Sequence, residues 1–159
     1  MTSIFFTPNG IAGFDLEISV IEENSNIQQI LDSDTTISLT RVNLYNYYRV
    51  NTASIHISPN IEVHLAILST EKSGILKEIS LYIKKERFND LLNDLREAYG
   101  TEKLQSSTSI SDLQSHGHTF WKIGLMSVFL TYRERSNYVE LSFSKMHYDD
   151  KKPHYTIHE

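Results

Sequence analysis

Seven histidines and a complete lack of cysteine set the limits of the chemistry available to this chain. Without thiols there is no disulfide framework, no Cys-ligated zinc, no iron–sulfur cluster and no thiol nucleophile. The six glycines are scattered, and no Gly-Lys-Ser/Thr follows any of them to cradle a phosphate. His-Glu-x-x-His, Gly-x-Ser-x-Gly and an acidic calcium loop are also absent, so the common nucleotide-dependent and hydrolytic sites are disfavoured and no cofactor is expected. His116-Gly117-His118 brings two imidazoles near one another. Two ligands without a third make a poor zinc site, and the simpler reading is a polar surface loop with no metal.

A more specific pattern is His56-Ile57-Ser58 with His154-Tyr155-Thr156, two copies of His-x-Ser/Thr. The pair resembles the motifs of the two-histidine phosphoesterases. That resemblance implies one histidine as general base, the other as general acid, and the hydroxyls of Ser58 and Thr156 on the phosphate. The sequence departs from the family in the second motif, which lies in the terminal stretch with no strand after it. A general acid needs rigid placement. This enzyme is therefore the alternative reading, and the leading expectation is a protein without catalytic residues.

The charge pattern suggests binding instead. Residues 1–70 hold seven acids against two bases, and residues 71–159 hold thirteen of each, so the whole net charge of −5 sits in the first 70 residues. Asp15, Glu17, Glu22, Glu23, Asp32 and Asp34 fall together with no Lys or Arg among them. Such a run is ordinarily a solvated face; as a functional surface it would steer a basic protein partner. It excludes the basic footprint that general nucleic-acid binding requires. Tyr45 and Tyr47, on one face of a strand with Tyr48 on the other, join the acids as candidate partner-binding residues, because tyrosine is enriched at interfaces. Half-buried sheet packing is the plainer reading for these tyrosines, as for Tyr82 and Trp121.

The elements that must position these residues are uneven in clarity. Phe88, Leu91, Leu92, Leu95 and Tyr99 recur at helical spacing and Gly100 follows, which predicts a helix over about 85–99. Ile61–Leu68 and Ile75–Ile83 alternate on either side of Glu71–Gly74 and predict an antiparallel hairpin, with Ile75, Lys77, Ile79, Leu81 and Ile83 sharing a face. Residues 101–117 read as a polar loop. Phe120–Ile123, Leu125–Arg133 and Tyr138–Lys145 read as a meander of strands. Earlier in the chain, Phe14–Val20, Thr36–Val42, Tyr45–Val50 and Ala53–Ile57 read as strands. A short helix capped by Ser25 or Asn26 would run through Ile27, Ile30 and Leu31. The order of elements loosely echoes itself, short helix and strands followed by long helix and strands. The class is α+β: a mostly antiparallel sheet with one principal helix on a face. A single domain over 1–148 and a frayed polar tail over 149–159 are expected. The first thirteen residues carry neither a basic patch nor a long apolar run, and no stretch has the length of a membrane span, so a cytoplasmic protein is expected.

From Gly74 to Phe143 the chain runs as a strand (Ile-Leu-Lys-Glu-Ile-Ser-Leu-Tyr-Ile), a helix ending Leu-Arg-Glu-Ala-Tyr-Gly, a polar loop, Phe-Trp-Lys-Ile and two alternating strands. This arrangement resembles the second half of small bacterial immunity proteins, which neutralise a toxin delivered between competing cells. The resemblance implies a cytoplasmic, non-enzymatic protein that binds one basic toxin domain, for instance a nuclease. An adaptor or chaperone-like module using sheet edges and the 101–117 loop is the remaining reading.

Overall fold

The computed structural model describes residues 5–18, 26–31, 36–39, 45–100, 118–132, 135–145 and 155–158. The strands are β1 (Phe6–Thr7), β2 (Gly10–Ile11), β3 (Phe14–Asp15), β4 (Ile27–Gln29), β5 (Ile37–Leu39), β6 (Asn46–Val50), β7 (Leu65–Thr70), β8 (Leu76–Lys84), β9 (His118–Ile123), β10 (Met126–Tyr132), β11 (Tyr138–Ser144) and β12 (Tyr155–Ile157). The helix α1 is Phe88–Tyr99. Seven strands form an antiparallel sheet in the order β4-β6-β7-β8-β11-β10-β9. After β8 the chain passes through α1, re-enters at the β9 edge, and returns by hairpins until β11 pairs with β8 at the centre. The class is α+β, as the residue patterns predict.

Alternation sorts the side chains of this sheet onto two faces. On one face Tyr48, Val50, Ala66, Leu68, Ile79, Leu81, Ile83, Val128, Leu130, Val139, Leu141 and Phe143 are buried with Phe88, Leu91, Leu92 and Leu95 of α1. The β1–β2–β3 ribbon adds Phe6, Ile11 and Leu16 to this core. Phe6 stacks on Phe143 with centroids 6.2 Å apart, and the Tyr99 hydroxyl donates to the Thr7 carbonyl at 2.8 Å, tying the ribbon to the helix. Gly10 is required here: its φ is +146°, and a Cβ would lie 2.5 Å from the Phe14 carbonyl oxygen. The helix ends at Gly100, whose φ is +87°, and Trp121 Nε1 donates to the Gly100 carbonyl at 2.7 Å. On the opposite face a smaller core joins Ile30, Ile37, Tyr47 and Ile67, with Leu39, Tyr45, Leu65, Tyr82 and Ile157 packed around it.

Several expectations give way to longer-range pairing. Ile27–Gln29 is a strand on β6, not part of a short helix, and its apolar residues divide between the faces: Ile27 packs on the helix side and Ile30 on the other. The suggested echo of two helix-plus-strand halves lapses with that helix. Thr52–Ser54 is a 3-10 turn where a strand was expected. Phe14–Asp15 is all that forms of the strand expected from Phe14. In β8 a register shift opposite Ser69/Thr70 brings Leu76 into the core in place of Ile75 and leaves Lys77 outside. Leu125 belongs to the two-residue β9–β10 loop behind Gly124 (φ +60°) and is 76% exposed. Within the stretch expected to fray, β12 pairs antiparallel with β5, Ile157 opposite Ile37. The expected loop over 101–117 lies outside the described residues.

Candidate functional site

The acidic surface is the first site to place. Asp15, in β3, and Glu17 are exposed; Glu22, Glu23, Asp32 and Asp34 lie outside the described residues. Glu17 stands at φ +68°, the one non-glycine residue at positive φ among those described. Its backbone N–H donates to the Leu76 carbonyl at 2.8 Å, and the Leu76 N–H donates to the Ile18 carbonyl at 3.0 Å, so this segment is laced to the start of β8. The register shift in β8 turns Lys77 towards it. Lys77 Nζ donates to Glu17 Oε2 at 2.9 Å and lies 3.3 Å from Glu71 Oε1. The Glu17 hydrogen bond raises the Lys77 pKa above the usual lysine value, partial burial opposes it, and Glu71 adds to the rise. Two carboxylates around one ammonium leave a local surplus of one negative charge. Exposed Ile18 sits beside them.

The histidine motifs are placed in part. His56 is exposed, after the 3-10 turn, and Ser58 Oγ accepts from the Asn60 N–H at 3.3 Å. His154 lies outside the described residues. Thr156 pairs in register with Ser38 on β5. A hydroxyl–imidazole contact does occur on this ribbon, between residues outside both motifs: Ser38 Oγ and His158 Nε2 are 2.6 Å apart, both residues exposed. Two residues before Ser38, Thr36 Oγ1 accepts from Arg49 Nη2 at 2.8 Å. His64, also exposed, stacks on Tyr138 with centroids 4.3 Å apart. Among the described residues no three His, Asp or Glu converge as metal ligands.

The tyrosines divide as alternation requires. Tyr45 and Tyr47 face the smaller core and Tyr48 the larger. Tyr47 is 1% exposed and Tyr45 half-buried, so Tyr47 serves packing and presents no surface to a partner.

One constellation was not singled out in the sequence. Across the sheet, on the face away from α1, register aligns Ser69 (β7), Glu78 (β8), Ser144 (β11) and Ser127 (β10) in one row. Ser80 and Ser142 oppose each other in the next. All six are buried. The available signal was polar positions alternating with Ile79, Leu81, Leu141 and Phe143, which read as a solvated face; only the register reveals a shared buried row.

No family model, curated protein or solved structure matches the chain. Among the described residues, no helix is long and apolar enough to cross a membrane.

Proposed function

We propose that the chain is a non-enzymatic binding protein of the immunity kind, acting in the cytoplasm, which docks a basic toxin domain through the acidic surface of its first 70 residues. The observation that carries this reading is the confinement of the entire net charge of −5 to residues 1–70 against a neutral remainder. Complementary charge of that kind accelerates encounter and rejects wrong partners. The geometry around Glu17 supports it: exposed Asp15 and the carboxylate surplus at Lys77 border exposed Ile18, a polar rim beside an apolar contact.

The test is co-expression of the full chain with the basic product of an adjacent open reading frame. A stable complex on gel filtration, with relief of growth arrest caused by that product, is the expected result. Persistent arrest and separate elution of the two chains would contradict the proposal.

A further inference from the structure

Glu78 occupies the central region of the seven-stranded sheet on the face away from α1, and it is 8% exposed. Ser69 and Ser144 stand directly across from it on the two neighbouring strands, and Ser127 lies one strand further. Ser80, two residues along β8, donates its hydroxyl to Glu78 Oε1 at 3.0 Å. Among the described residues no Lys, Arg or His forms an ion pair with Glu78. Glutamate is almost never buried without a charged partner, because water's solvation of the anion must be replaced by something equally strong. A single neutral hydroxyl does not replace it. The missing component is a positive charge.

The surroundings narrow its chemistry. Neutral serine hydroxyls offer acceptor lone pairs to the N–H groups of a cation while making no competing ion pair. Apolar side chains bound the hydroxyl rows at both ends. Tyr47 and Ile67 lie on the β6–β7 side. On the β10–β9 side is Phe129, stacked on Phe120 with centroids 5.5 Å apart. One carboxylate with hydroxyls is a thin donor set for a divalent metal, which takes six or more oxygens. An alkyl chain ending in an ammonium matches both parts, its stem against Ile67 or Phe129 and its head on Glu78. We propose that Glu78, with Ser69, Ser80 and Ser144, binds an alkylammonium group. This site lies apart from the acidic surface and does not rest on the docking proposal.

The experiment is an NMR titration of the isotopically labelled full chain with n-butylammonium chloride, reading the Glu78 side-chain carboxyl carbon and the amides of Ser69, Ser80 and Ser144. Saturable shifts at these positions are expected. They should be absent with 1-butanol, which has the same stem without the charge. In Glu78→Gln, which retains an oxygen to accept from Ser80, affinity should fall about tenfold or more. If that variant fails to fold, the wild-type contrast between butylammonium and butanol still decides. A lysine blocked at both backbone ends serves as a second probe. If it binds as well, a protein lysine can fill the site; butylammonium alone binding would assign the site to a free amine. No saturable shift, equal shifts with butanol, or equal shifts with sodium or potassium chloride would overturn the proposal.

Discussion

Two core hydroxyls illustrate how much depends on a single partner. Tyr99 donates to the Thr7 carbonyl, and burial pushes its phenol well above the usual tyrosine pKa. In the unfolded chain the same group ionises near its ordinary value of about 10. The unfolded state therefore loses its proton first as pH rises, and stability should fall above about pH 10. Removing the hydroxyl in Tyr99→Phe should flatten part of that slope and cost about 1 kcal/mol near neutrality; urea unfolding at pH 7 and pH 10.5 checks both. An unchanged slope would remove Tyr99 from the alkaline transition. Thr119 is the opposite case. Its hydroxyl is buried without a hydrogen-bond partner among the described residues. Thr119→Val keeps the shape and removes an unsatisfied group, so stability should hold or rise by up to about 1 kcal/mol. A loss of more than 1 kcal/mol in the same assay would imply a partner for that hydroxyl. The faces of Tyr45, Tyr47 and Tyr48 were legible from alternation because period 2 fixes them locally. The burial of Glu78 was not, because it depends on strands from four parts of the chain meeting in register.

At the level of elements, legibility follows the range of the contacts. Helix α1 carries its own period and its own stop at Gly100, and the residues expected inside are the ones buried: Phe88, Leu91, Leu92 and Leu95. Leu92→Ala should cost about 2–5 kcal/mol by thermal or urea unfolding, as a fully buried leucine does; a change below about half a kcal/mol would refute its place in the core. The hairpin and the final meander were legible for the same local reason. β4 and β12 were not. Ile27, Ile30 and Leu31 fit helical spacing, yet pairing with β6 makes Ile27–Gln29 a strand and sends Ile27 and Ile30 to opposite cores. Tyr155–Ile157 lies in a polar context, and its strand partner is more than 110 residues away, so no neighbouring pattern announces it. Ile157 closes the smaller core beside Ile37 while half-buried. Ending the chain after Tyr148 should therefore cost about 1 kcal/mol or more from lost apolar burial, measured as a lower urea midpoint. An unchanged midpoint would mean that β12 adds nothing to stability.

At the scale of the molecule, one sheet clad on both faces supplies a rigid platform, and the charge is distributed over it unequally. α1 carries its own acids, Asp90 within 3.5 Å of Arg87, inside the neutral part of the chain. The acids of residues 1–70 have no such local balance in sequence, which makes α1 an internal control for electrostatic docking. Stopped-flow association with the basic partner from co-expression tests this directly. One variant neutralises Glu22, Glu23, Asp32 and Asp34 to their amides, and another does the same at Asp90 and Asp94. The first should slow association about tenfold at low ionic strength, converge with the wild type as salt screens the charge, and leave the dissociation rate little altered. The second should associate as the wild type does. Equal slowing by both variants, or none by either, would contradict docking through the acidic first 70 residues.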